Sequence, residues 1–387
     1  MAPDARARSG KPIPVVHLIT GLGVGGAETM LHKLLANIDR ERFPSSVVSM
    51  IEPGPMAPKI AALGVHVESL GLSRGVPDPR AVRSLVRLLR HERPAILQAW
   101  MYHADLLGLA AARIARVPKI AWNIRCSDLD MKNSGRLLSA VFSAHGLAAR
   151  FADAIIVNSG AGLRFHQESG HQARRWEMIP NGFDLDRFRP DESRRATVRA
   201  ELGLSSGDIA IGMVARFDRY KDHDTFFAAA GRLRAERPNA VFVLAGRGLS
   251  LDNAAVVNQL EQRGLMASTR LLGELADTSE LLPGLDVFTL CSHSEGFPNA
   301  LGEAMSSALP CVATDVGDCA LVLGDTGRIV PLRDPAAVAE AWQALIDAGP
   351  RERARMGRRA RSRVETRFSL ASVVAAYEAL YVDLAGN

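Results

Sequence analysis

Two glutamates, Glu295 and Glu303, are separated by seven residues in the stretch SHSEGFPNALGEAM (292–305). Upstream, DVFTLCS reads as a strand, HSEGF as the loop leaving its C-terminal end, and PNALGEAMSSA as a helix with Pro298 suited to the first turn. Ligands of open α/β sheets bind at those strand ends. Glu295 therefore stands at a binding edge, and Glu303 lies almost two turns into the helical segment. The first-turn N–H groups, donors without helical partners, fall between the two carboxylates. Such an array suits a ligand with a diphosphate at its centre: the phosphates sit on the helix N-terminus, and each carboxylate accepts hydrogen bonds from hydroxyls, of a sugar on one side and a ribose on the other.

The phosphates also need cations. In GMVARFDRYKDHDTF, Arg216 follows a strand and Lys221 comes five residues later, near a helix start. A guanidinium fork with a point-charge ammonium can neutralise a diphosphate without a metal ion. A glycine loop, HLITGLGVGGAE, sets Gly21, Gly23 and Gly26 in a G-x-G-x-x-G pattern between a strand and a helix, which brings backbone N–H groups close to an anion. A nicotinamide-dependent oxidoreductase would need an acidic residue about 20 positions on; Glu52, 26 residues after Gly26, leaves that reading weak. A turn that only packs helix on strand fits the glycines equally well.

These residues need a scaffold of strands and helices. Apolar runs at 13–20, 45–51, 65–70, 95–100, 119–124 and 154–159 alternate with amphipathic stretches, and a second series follows at 209–215, 240–246, 270–273, 286–292, 311–316 and 327–331. That is the pattern of two doubly wound parallel sheets. The expected α/β architecture is two Rossmann-like domains facing across a cleft: residues 1–185, a turn-rich, charged linker at 186–207, and residues 208–365. The chain after Pro331 reads as helical, and a terminal helix at 366–387 is expected to pack back on the first domain.

At 387 residues, with 47% hydrophobic and 23% charged side chains, the chain has apolar material for two cores. Four cysteines without C-x-x-C spacing read as reduced thiols. No apolar stretch approaches the roughly 20 residues that span a bilayer, and the polar N-terminus lacks a signal-peptide core, so a cytoplasmic protein is expected. The net charge of +5 is uneven: residues 1–185 carry 23 Lys and Arg against 15 Asp and Glu, and residues 186–387 carry 24 against 27. Within the first half, Arg80, Arg83, Arg87 and Arg90 recur on one helical face, which offers a contact to an anionic membrane surface or a solvated face. The arginine-dense 351–368 lacks the aromatic interleaving of a nucleic-acid site.

Taken together, EGFPNALGEAM, VARFDRYKD, IPNGFD, GLGVGGAE and GDTGRIVP resemble, in order, the motifs of the retaining GT-B glycosyltransferases of the fourth sequence family, over residues 13–380. The resemblance implies that Arg216 and Lys221 bind the donor diphosphate, that Glu303 holds the ribose and that Glu295 holds the donor sugar. Gly25 and Gly26 would add N–H groups from the first domain, with Gly296, Phe297, Asn299, Ala300 and Leu301 lining the donor site. His103, in WMYHADLLG, matches a first-domain histidine beside the donor sugar. No cofactor or metal is implied. One departure stands out: VGDCALVLGDTG has Leu321 where many relatives carry a glutamate. QAWMYHADLLG and WNIRCS further resemble the branch that builds bacterial surface polysaccharides on lipid carriers.

The implied reaction moves a hexose or N-acetylhexosamine from a nucleoside-diphosphate sugar, UDP first, to a glycan or isoprenoid-diphosphate-linked acceptor, with retention. The bond to phosphate lengthens and the departing oxygen takes the acceptor's proton. A two-carboxylate hydrolase would need both groups flanking one bond, whereas here a helix start separates them. Two D-x-D triplets, Asp128–Asp130 and Asp184–Asp186, keep a metal-dependent transferase as a minor alternative, and a non-catalytic sugar-nucleotide binder is another.

Overall fold

The computed structural model describes residues 11–73, 79–127 and 136–386. The N-terminal MAPDARARSG, the Pro77–Asp78 start of the arginine segment and the Asp128–Asp130 triplet lie outside them. The chain divides into two compact units, residues 1–182 with 370–387, and residues 183–369.

In the first unit, β1 (Val15–Ile19), α1 (Gly26–Asn37), β2 (Ser45–Ile51), α2 (Ala57–Ala61), β3 (His66–Leu72), α3 (Pro79–Glu92), β4 (Ile96–Trp100) and α4 (Tyr102–Ala115) alternate along the chain. β5 (Lys119–Ile124), α5 (Arg136–Ala148), β6 (Ala154–Val157), α6 (Gly160–Glu168) and β7 (Trp176–Met178) complete its parallel sheet, in the order β3-β2-β1-β4-β5-β6-β7. β1 and β4 are buried at every residue, as expected for strands covered on both faces. In α3, Leu85 and Leu89 are buried while Arg80, Arg83, Arg87 and Arg90 are exposed.

The second unit opens with α7 (Glu192–Glu201), then runs β8 (Ile209–Val214), α8 (His223–Glu236), β9 (Ala240–Ala245), α9 (Ala254–Gln262), β10 (Thr269–Leu271) and β11 (Val287–Leu290). It closes with α10 (Asn299–Ser306), β12 (Cys311–Thr314), α11 (Cys319–Leu323), β13 (Arg328–Val330), α12 (Pro335–Asp347) and α13 (Gly349–Arg367). Its sheet order is β10-β9-β8-β11-β12-β13. The last helix, α14 (Leu370–Gly386), belongs to the first unit, where Val373, Tyr377 and Tyr381 join the core that contains Val15, Ile19 and Trp100.

The stretch read as an irregular linker contains α7. Asp191 caps it by accepting from Arg194 N at 2.9 Å, and Val198 and Leu202 are buried in the core of the second unit. The helix is hard to see in sequence because its hold on the sheet is ionic: Arg195 and Arg199 both pair with Asp286, at 2.6 and 2.9 Å. Cys291, Cys311 and Cys319 are free and buried, with burial pushing their thiols up.

In each sheet the strand order reverses once, between β1 and β4 and between β8 and β11. At the C-terminal ends of those pairs the connecting helices diverge to opposite faces and leave a crevice. The glycine loop, the His103 segment, the Arg216–Lys221 segment and the loop carrying Glu295 follow those four strands.

Candidate functional site

After β8 the chain turns sharply at Ala215 and Arg216. The loop after β9 passes beneath it at Gly246, where a Cβ would meet Ala215 O at 2.0 Å and φ is +147°. A 3-10 turn at Arg219–Lys221 follows, capped by Asp218, whose Oδ1 accepts from Tyr220 N at 2.8 Å. That bond, and then Arg216, holds the Asp218 carboxyl below the usual range. Asp222, in the left-handed region at φ 49°, caps α8 and ends the turn with Lys221 at its edge. Arg216 is more exposed, and its Nε donates to Asp218 at 3.2 Å.

The loop after β11 is braced from three sides. Thr314 Oγ1 donates to Leu290 O at 3.3 Å and also reaches Ser292 O; His293 N donates to Tyr220 O at 2.9 Å, which ties this loop to the turn carrying Lys221. Gly317 (φ +56°) runs against the loop so closely that a Cβ would meet Glu295 O at 2.1 Å, and Asp318 N donates to Gly296 O at 3.0 Å. Glu295 thus has a fixed backbone. Its Oε1 accepts from the Ser292 hydroxyl at 2.7 Å and pairs with Lys221 Nζ.

Phe297 is buried, its ring 6.0 Å from Phe183 and 5.8 Å from Phe368. Phe183, from IPNGFD, occupies the space a side chain at position 302 would need: a Cβ on Gly302 would lie 2.0 Å from its ring. The motif thereby props α10. That helix begins at Asn299, with Pro298 as its N-cap rather than inside the first turn, so Glu303 is its fifth residue, just past one turn instead of almost two. Asn299, Ala300 and Leu301 precede the first helical bond, from Gly302 N to Pro298 O at 3.2 Å. Glu303 Oε2 accepts from Thr278 Oγ1 at 3.5 Å.

In the first unit the glycine loop follows β1. Gly25 is the N-cap of α1 with extended backbone, and a Cβ there would meet the Glu28 carboxylate at 2.5 Å; added Cβ atoms at Gly23 and Gly26 would meet nothing within 4 Å. After β4, Met101 takes φ 72° and His103 is exposed on the first turn of α4, with partial burial lowering its pKa. Its neighbours point inward. Tyr102 OH lies 2.8 Å from His166 Nε2, and Asp105 Oδ2 lies 3.0 Å from His145 Nε2, which is linked in turn to His171 at 3.1 Å.

The structure brings Lys221, Glu295 and Ser292 into direct contact and places Arg216, the first turn of α10 and Glu303 along the β8/β11 crevice. His103, Gly25 and Gly26 line the corresponding edge of the first unit. Sequence reasoning missed Ser292, Thr278, Tyr220 and Gly317, none of which has a spacing signature. Asp184 Oδ1 accepts from Asp186 N and Arg187 N at 3.1 and 3.0 Å, a turn-capping use of the second D-x-D triplet. Among the described residues no group of three His, Cys, Asp or Glu could hold a metal ion.

The family model described as Glycosyltransferase Family 4 matches residues 24–187, and the model described as Glycosyl transferases group 1 matches residues 208–348. The chain is 26% identical over 318 residues, 81% of each chain, to the UDP-Gal:alpha-D-GlcNAc-diphosphoundecaprenol alpha-1,3-galactosyltransferase of Escherichia coli. It is 32% identical over 221 residues to the D-inositol 3-phosphate glycosyltransferase of Nocardia farcinica, covering 54% of this chain and 48% of that protein. The fold is similar to that of Anabaena Alr3699/HepE, solved in complex with UDP, with a TM-score of 0.82 at 20% identity over 96% of this chain and 100% of the other.

Proposed function

Because the chain belongs to the group 1, family 4 glycosyltransferases, of GT-B fold, we propose that it is a retaining, metal-independent transferase that moves a hexose or N-acetylhexosamine from a UDP-sugar to a glycan or isoprenoid-diphosphate-linked acceptor in surface-polysaccharide assembly. The carrying observation is the Lys221–Glu295–Ser292 cluster beside the start of α10 at the β8/β11 crevice. The uridine and lipid-linked-acceptor assignments rest on the name of the E. coli relative.

In this reading Lys221, Arg216 and the first-turn N–H groups of α10 bind the diphosphate and stabilise the charge that develops as it leaves. Groups aimed at developing charge contribute about 3–4 kcal/mol each where mutagenesis has tested them. Glu303 accepts from the ribose hydroxyls, and Glu295, held by Ser292, from the donor sugar. Gly296 and Phe297 shape the loop, and Gly25, Gly26 and a neutral His103 line the corresponding strand ends of the first unit. The leaving phosphate oxygen takes the acceptor's proton, so no side-chain nucleophile enters.

No described helix is long and apolar enough to cross a membrane. A cytoplasmic protein that visits an anionic leaflet fits the exposed arginine face of α3. Its leucines are already used in the core, so this contact is electrostatic and weakens with salt. Flotation with anionic but not neutral liposomes, lost at high salt, tests it.

The transfer itself is tested by incubating the protein with a panel of UDP-hexoses and UDP-N-acetylhexosamines and a sugar-diphosphate-lipid acceptor, with and without EDTA. The expected result is UDP release with an EDTA-insensitive product whose anomeric configuration matches the donor. An inverted product, or activity abolished by EDTA, would overturn the retaining or metal-independent part.

A further inference from the structure

Arg125 is the first residue beyond β5, at the same sheet edge of the first unit as the glycine loop and His103. Its guanidinium is held on several sides. One terminal nitrogen donates to Tyr377 OH at 2.5 Å, the other donates to Asn181 Oδ1, and the group lies 5.2 Å from the Trp100 ring centroid. Tyr377 is itself fixed, accepting from Asn123 Nδ2 at 2.9 Å. Arg125 Nε is buried and makes no hydrogen bond in the structure.

All of these partners are neutral. Among the described residues no carboxylate lies within ion-pair distance of Arg125. Partly desolvating a charge without a counter-charge is unfavourable, and a purely structural staple between α14 and the sheet would be better served by a carboxylate at position 181. Fixing a guanidinium while leaving its charge and two terminal N–H groups uncommitted is the arrangement of an anion receptor.

We propose that Arg125 recognises a phosphoryl group of the acceptor, and so selects phosphorylated acceptors over neutral glycans. This rests on the transferase reading above. Two sources share the chemistry, a lipid-linked diphosphate and a soluble sugar phosphate, and the test separates them.

The full-length protein is first saturated with UDP, so that the cations of the second unit are occupied, and then titrated with farnesyl diphosphate, farnesol and glucose 1-phosphate. Wild type, Arg125→Lys and Arg125→Met are compared, with Tyr377→Phe to weaken the hold on the guanidinium without removing it. The expected result is that wild type binds farnesyl diphosphate, glucose 1-phosphate or both, but shows no Arg125-dependent binding of farnesol. Arg125→Lys, which keeps a charge but loses the fork, weakens phosphoryl binding at least tenfold; Arg125→Met abolishes it; Tyr377→Phe weakens it less than either. UDP affinity stays within twofold throughout. Preference for farnesyl diphosphate assigns the lipid source, and preference for glucose 1-phosphate the soluble one. Should Arg125→Met unfold the chain, Arg125→Lys decides. Unchanged phosphoryl binding in Arg125→Lys, or no such binding by UDP-saturated wild type, overturns the proposal. A wild type that does not bind UDP at all would instead overturn the transferase reading.

Discussion

Lys221 and Glu295, 74 residues apart in the chain, form an ion pair in which Glu295 Oε1 also accepts from Ser292 at 2.7 Å, and both side chains are largely shielded, 21% and 10% exposed. The ammonium and the carboxylate thus neutralise each other. Removing either partner should act differently. Glu295→Ala frees Lys221, so UDP affinity should hold or rise while turnover falls about 100-fold, the scale of one lost transition-state contact. Lys221→Ala should weaken UDP binding and also lower stability by about 1–3 kcal/mol, below the 3–5 kcal/mol of a fully buried pair, because it strands a shielded carboxylate. Calorimetry with UDP and urea melts check both; a tenfold loss of UDP affinity in Glu295→Ala would contradict the division of roles.

Gly317 sets where Glu295 lies. Its φ of +56° and the 2.1 Å approach of a would-be Cβ to Glu295 O leave no room for a side chain. Gly317→Ala should cost about 1–3 kcal/mol and reduce kcat, while UDP affinity, which depends on other groups, changes little. Wild-type kcat together with wild-type stability would show that the loop is not positioned this way.

Asp286 anchors α7, accepting from Arg195, Arg199 and Ala210 N at 2.6, 2.9 and 2.8 Å. Asp286→Asn leaves two guanidiniums without their shared counter-charge and should destabilise the chain by about 3 kcal/mol. The urea midpoint measures the loss. UDP affinity at low temperature should remain, since none of these groups borders the candidate site.

Acidification should destabilise the fold. Burial pushes His17 down to about 3, His145 to about 2, and His171 and His223 to about 4. Their native values lie below the unfolded value of about 6.5. The unfolded chain therefore binds more protons in that window, and stability present above about pH 6.5 is lost as pH falls toward the native values. Each histidine accounts for roughly 2 kcal/mol at pH 5. Asp105 opposes this: burial raises its pKa, so its contribution improves as pH falls. Four histidines against one aspartate give a urea midpoint that drops between pH 7 and pH 5; a flat midpoint would contradict the neutral assignment.

Strands such as Val15–Ile19, buried on both faces, announce themselves as apolar runs, and the glutamate and cation motifs follow strands at the points where the sheet order reverses. The frame and much of the candidate site were therefore legible in sequence. Two elements were not: β7 is three residues long with none buried, and α7 has one buried residue, Val198, and depends on Asp286, 91 residues beyond Arg195. Contacts across long stretches of chain leave no local period. Sequence could assign Lys221 and Glu295 separate partners but could not show that they meet, and nothing near Arg125 signals its bond to Tyr377, 252 residues away.

The central claim, a nucleoside-diphosphate site built around α10, is tested most directly by calorimetric titration of UDP, GDP, ADP and NAD into wild type and Glu303→Ala. The account predicts that UDP binds wild type most tightly and that Glu303→Ala weakens it about tenfold or more, as expected when hydrogen bonds from a ribose to a charged acceptor are lost. Binding of NAD alone, of no nucleotide, or of UDP equally well to both proteins would contradict it.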